Sequence, residues 1–138
     1  MADIEGKNLR TLQHNGEYGN ARVAILQHTL AAAQIGDVVV LGKLPGGVRI
    51  HTSTLRNAAL GASSTLTLGY RYINAAEGSD ATAGLLAATA TSSAARTTGA
   101  VDVVDIATGS GVEIVSVVAG GAATGAISAI IEYDYPGQ

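Results

Sequence analysis

Between Ser64 and Tyr72 the side chains alternate: Leu66, Leu68, Tyr70 and Tyr72 fall on one face, and Thr65, Thr67 and Arg71 on the other. A period of two sustained over this length describes a strand with one buried face, and no amphipathic helix satisfies it. The pattern returns in Ala126–Tyr135, where Ile127, Ala129, Ile131, Tyr133 and Tyr135 share a face. Ser128, Glu132 and Asp134 oppose them, with Ile130 the exception. A chain containing these two segments is committed to a sheet with one wet and one dry side.

The remaining sequence reads as further short β runs separated by Gly and polar turns. Arg22–Leu30 is β-branched and aliphatic, Val38–Leu41 is a strand core extending to Leu44, and Val48–Leu55 sets Val48 and Ile50 against Arg49 and His51. Val101–Ile106 and Val112–Val118 complete the set. Pro45-Gly46-Gly47 and Ala107–Gly111 read as reversals, because Pro cannot donate to a ladder and Gly supplies positive φ. Ala119–Gly125 reads as the turn of a hairpin onto the last strand. Residues 73–100 are the least determined: Asn74–Asp80 is loop-like, and Ala81–Ala90 is rich enough in Ala and Leu for a short helix. Against the helix, the Thr and Ser at 89, 91–93 and 97–98 favour extended chain. About seven or eight strands with no helix of crossover length predict an all-β antiparallel sandwich and exclude a parallel α/β sheet.

Composition then fixes what fills that sandwich. The 138 residues suit one core, with 25 Ala, 18 Gly, no Phe and no Trp. Five Tyr are the only aromatics, so burial must come from small aliphatic groups, each contributing little area. Such a chain is expected to finish its burial against a neighbour. The sandwich is assigned to residues 21–138 and an extended N-terminal arm to residues 1–20, which carry Lys7, Asn8, Arg10, Gln13, His14, Asn15, Glu17 and Asn20 and no sustained period. The arm is either a flexible tail or a segment that orders on a partner, with Ile4, Leu9, Leu12 and Tyr18 as its apolar anchors.

The same numbers narrow function. A net charge of −3, with no two Lys or Arg adjacent, offers no field for a phosphate backbone, so no nucleic-acid partner is expected. No apolar stretch approaches the ~18 residues of a membrane span, and Met1–Lys7 lacks the pattern of a secretory leader, so no membrane partner is expected. Without Cys there is no disulfide, thiolate nucleophile or thiolate metal site. His14, His28 and His51 show no metal-ligand spacing. Gly109-Ser110-Gly111 is one residue too tight for a nucleophile elbow, and Gly120–Gly125 is followed by Ala126-Ile127 where a phosphate loop needs Lys-Ser/Thr. The acid pairs Asp102/Asp105, Glu77/Asp80 and Glu132/Asp134 have no sign of a desolvated cleft, and the last pair reads as solvated guards of an edge strand. No enzyme and no cofactor are expected. Tyr133 and Tyr135 are either contact residues, for which Tyr suits by its rigid area and hydroxyl, or the closure of one end of the core.

Gly36–Ile50, with its Leu44-Pro-Gly-Gly-Val48 centre, resembles the "strand, Leu-Pro-x-Gly, strand" element of small head proteins of tailed phages. The resemblance runs through Leu60–Tyr70, Val118–Ser128 and Ile131–Tyr135, opens with Ile4–Arg10, and so spans nearly the whole chain. It implies a tailed-bacteriophage capsid decoration, or cement, protein with a jelly-roll-like sandwich. Such a protein is made in the bacterial host cytoplasm, sits on the outer face of the virion and bridges neighbouring major capsid protein subunits. A homodimer is the favoured form and a trimer the alternative. Ile4, Leu9, Arg10, Leu12, Tyr18, Tyr133 and Tyr135 are the candidate capsid or oligomer contacts. The competing expectation is a carbohydrate- or receptor-binding sandwich from a phage fibre or tail, although lectin sites usually want an aromatic platform and this chain has no Trp.

Overall fold

The computed structural model describes residues 3–5, 22–99 and 103–134. Its elements are β1 (Asp3–Glu5), β2 (Arg22–Ala33), β3 (Val38–Leu44), β4 (Arg49–Asn57) and β5 (Thr65–Tyr72). They continue with β6 (Ala81–Ala90), β7 (Ala95–Thr98), β8 (Val104–Asp105), β9 (Val112–Ala119) and β10 (Ala123–Asp134). Two sheets face each other as a sandwich. The first has the order β1-β3-β9-β5-β6 and the second β2-β10-β4-β7, with β8 also paired to β4. Every pairing is antiparallel except β1 with β3, which is parallel.

Consecutive strands mostly change sheet, and this corrects the reading of the Gly-rich turns. The turn at 119–125 closes no hairpin, because β9 pairs with β3 and β5 while β10 pairs with β2 and β4. Pro45-Gly46-Gly47 and 107–111 likewise carry the chain from one sheet to the other. The two corners are tied together: Gly47 N–H donates to Ile106 O (3.1 Å) and Ala107 O (3.2 Å). Gly47 stands at φ +83°, a conformation for which Gly is the low-cost residue. A turn signal in sequence records that the chain reverses, and it carries no information about which sheet receives it.

The helix considered for Ala81–Ala90 is absent; the segment is β6, an edge strand on β5. Its register slips, so that Ala81 to Leu86 spans the same stretch of ladder as Tyr70 to Leu68. The surplus residues bulge over the outer face of the first sheet, where Thr67 Oγ1 donates to Thr82 O (2.9 Å) and accepts from Val117 N (3.1 Å). Gly69 lies beneath the bulge, and a Cβ there would strike Ala81 O and the Thr82 backbone. Tertiary pairing has overridden the modest helix propensity of the Ala residues. Of the strand expected at Val101–Ile106, Val104–Asp105 forms β8, and residues 101–102 lie outside the described ones.

The core lies between the inner faces. Leu26, Leu30, Leu41, Leu44, Leu55, Leu66, Leu68, Leu85, Ile114, Ile127 and Ile131 are all fully buried. Leu26 of the second sheet packs directly over Gly42 of the first: a Cβ on Gly42 would stand 2.7 Å from Leu26 Cδ2. One end is closed by Tyr70 and Tyr72, packed edge-to-face at 5.9 Å, with the Tyr72 hydroxyl accepting from Ala107 N (3.1 Å). Gly42 and Leu26 therefore share one space. Leu26→Ala should cost about 2–5 kcal/mol by leaving a cavity, and Gly42→Ala about 1–3 kcal/mol by overpacking. In urea melts the double variant should cost less than the sum of the two, because the added methyl enters the vacated volume. Additive costs would contradict the interlock.

Candidate functional site

Titratable side chains on the described surface are mostly spent on the chain's own backbone and on exposed ion pairs. Glu77 accepts Ser110 N–H through both carboxylate oxygens (3.0 and 3.2 Å), which explains the fixed Gly109-Ser110-Gly111 turn. Asp80 accepts Tyr72 N–H (2.8 Å), and Arg49 Nε donates to Asp105 (2.7 Å). His51 Nε2 stands 3.2 Å from Asp134. Arg71 reaches Glu113 from both Nε (3.0 Å) and a terminal nitrogen (2.9 Å) across β5 and β9. Among the described residues no group of three His, Asp or Glu converges in a way that would hold a metal ion. The reading of Glu132 and Asp134 as edge guards is corrected, since β10 runs between β2 and β4 inside its sheet.

Strand register assembles the side chains on the outer face of the second sheet in rows. Ile25, Ile130, Thr54 and Thr98 form one row across β2, β10, β4 and β7. On one side of it lies the row Gln27, Ser128, Arg56 and Arg96; on the other lie Val23, Glu132 and Thr52. Val23 is 57% exposed and Ile25 50%, although both are large and apolar. Arg56 and Arg96 are cross-strand partners and both exposed, an arrangement in which like charges repel. A shallow groove of about 610 Å³ runs along this end of the face, lined by Gln27, Arg56, Ala58, Ala95, Arg96 and Ser128.

Of the sequence-derived contact residues, the two that are described, Ile4 and Tyr133, fall elsewhere. Ile4 sits in β1 and packs, partly buried, against the core of its own chain. Tyr133 is 3% exposed and belongs to that core, opposite Ile50 in the neighbouring strand. Of the two readings of Tyr133, closure of the core is the one its burial matches. Leu9, Arg10, Leu12, Tyr18 and Tyr135 lie outside the described residues. The rows on the second sheet escaped sequence reasoning because Val23–Leu26 is an unbroken aliphatic run, which hides which alternate set faces inward.

No protein-family model matches the chain, and no characterised protein sequence does. Solved structures do share its fold. It is similar to a chain in the capsid of Ralstonia phage GP4, with a TM-score of 0.73 at 19% identity over 99% of both chains. A chain of the cyanophage Pam1 capsid asymmetric unit gives 0.65 at 21% identity, covering 91% of this chain and 92% of that one. One from the acid-stable capsid of Helicobacter pylori bacteriophage KHP30 gives 0.59 at 17% identity, covering 88% and 92%. At these identities the likeness is one of fold, and it extends over essentially the whole of each matched chain.

His28 stands on the inward register of β2, between Leu26 and Leu30 and opposite Ile127. Partial burial lowers its pKa below the ordinary 6.5. The unfolded chain therefore takes up a proton at higher pH than the folded one, and the resulting stability is present above about pH 6.5 and lost as pH falls through the depressed folded value. Midpoints of urea unfolding should decline on acidification through that window, and His28→Gln should remove this part of the slope. An identical slope in the variant would show that other groups carry the acid dependence.

Proposed function

We propose that this chain is a structural virion protein that decorates the outside of an icosahedral phage head and cements neighbouring major capsid protein subunits. The observation that carries the proposal is the fold likeness to chains from three phage capsids, over 88–99% of this chain. A protein of this kind acts through surfaces. The architecture is consistent with that, since most of its described acids are occupied in holding turns and in ion pairs, and no catalytic residue is assigned. We accordingly read it as a non-enzyme without a cofactor, with the major capsid protein and a second copy of itself as partners.

The physical logic of cementing is avidity. One copy spanning two subunits makes its second contact intramolecularly, at an effective concentration far above that of free protein. Binding to the assembled shell and not to free subunits shifts the equilibrium toward the shell, so the head resists heat and pressure better. The N-terminal arm assigned to residues 1–20 orders across a neighbouring subunit, through Leu9, Leu12 and Tyr18. Because β1 belongs to the first sheet, the arm is best tested by substitution with β1 left in place.

Heads lacking the protein, incubated with the purified chain and pelleted, should carry it down in saturable amounts and rupture at a higher temperature. The triple variant Leu9→Ser, Leu12→Ser, Tyr18→Ser should keep the melting temperature of the free protein and lose about tenfold or more in occupancy at limiting concentration. Undiminished occupancy would sink the arm, and no attachment at all would sink the decorating role. Reproducible signals on a glycan array from a chain that ignores heads would favour the carbohydrate-binding alternative instead.

A further inference from the structure

The outer face of the second sheet is self-complementary, and we infer that it is the surface on which two copies of this chain pair. The inference rests on the self-association included in the proposed function and is independent of attachment to a shell. Its basis is the order of the rows along the strands. Arg56 and Arg96 occupy the row on one side of the central Ile25–Ile130–Thr54–Thr98 row, and Glu132 with Val23 occupies the row on the other. A two-fold axis lying along the central row, perpendicular to the strands, exchanges the two flanking rows. It sets Arg56 of each copy over the partner's Thr52, one strand (~4.8 Å) to the side of the partner's Glu132 and within side-chain reach of it, and Ile25 and Ile130 over their own symmetry mates. Such an isologous contact makes the Arg56–Glu132 pair twice.

Three observations favour a second copy as the occupant. First, Arg56, Arg96 and Glu132 are exposed and form no ion pair among the described residues, while Arg49, Arg71, Asp105 and Glu113 are all paired. A lone arginine couple facing across a ladder is repulsive until a carboxylate joins it, and the Glu132 row lies at the same distance on the opposite side of the axis. Second, the exposed apolar surface of Val23 and Ile25 adjoins the axis, where a dimer contact is driest. Third, the groove beside Arg56 and Arg96 lies where the partner's Glu132 end would seat.

β2 and β10 are 12 residues long and β4 is 9. At ~3.3 Å per residue and ~4.8 Å between strands, they present roughly 500 Å² of flat face per copy. That is smaller than the ~800 Å² per partner of a standard interface, so pairing should be reversible and sensitive to single charges.

Sedimentation velocity of the full chain over a concentration series tests this. The expected result is a monomer–dimer equilibrium. Glu132→Arg and Arg56→Glu should each weaken it by about tenfold or more, since each charge is broken twice per dimer. The double variant Glu132→Arg/Arg56→Glu should recover most of the loss, because symmetry brings the exchanged charges together again. Both sites are exposed, and an unchanged melting temperature in each variant separates loss of pairing from loss of fold. A chain that stays monomeric, forms a trimer, or dimerises without rescue in the double variant overturns the assignment. If a monomeric chain still binds heads, the shell role survives while this face assignment falls; a dimer that obeys the charge swap but ignores heads gives the reverse.

Discussion

Leu26 over Gly42 sets the spacing on which the rest of the molecule depends. Sheets packed face to face ordinarily stand ~10 Å apart, and a core without Phe or Trp can fill that gap only by interdigitating aliphatic side chains closely. Here a leucine from one sheet meets bare backbone on the other, and Leu41, Leu55, Leu66, Ile114 and Ile131 complete the layer around it. Losing that approach would open voids throughout a core whose members have little spare volume. The corner ties between Gly47 and residues 106–107, and the Tyr70–Tyr72 closure, hold the sheet ends at the same separation.

How much of this was legible depended on whether the deciding information was local. The strands Val38–Leu44 and Thr65–Tyr72 stand where β-branched content and strict alternation place them, because a half-buried strand writes its burial directly into the sequence. Val112–Ala119 and the inward set Ile127, Ala129, Ile131 and Tyr133 follow for the same reason. What alternation could not convey was partnership. Turns at 45–47, 107–111 and 119–125 have the residues of hairpins yet pass between sheets, a choice made by contacts distant in sequence. β6 is a strand because β5 offered it an edge, although its Ala and Leu content alone left a helix open.

The candidate surface was illegible for a related reason. Arg56 and Arg96 belong to strands separated by β5 and β6 in the chain, and only the β4–β7 register sets them opposite one another. Val23 and Ile25 look like core residues inside an aliphatic run, and they are outward because Ala24 and Leu26 took the inner positions. The sequence instead drew attention to Tyr133 and Ile4, which the fold uses to complete its own core. An interior of small side chains therefore did not leave the core unfinished. Large apolar groups are left on the outside, and two of them, Val23 and Ile25, share a sheet face with Arg56, Arg96 and Glu132.

The proposed place of this sandwich is on the outside of a phage shell, and cryo-electron microscopy of heads purified with and without the protein would show it. Added density is expected on the outer surface of the decorated heads, of a size and two-layered shape that fits this sandwich, bridging adjacent capsid subunits. Heads that are indistinguishable in the two preparations, or density confined to the interior or the tail, would contradict it.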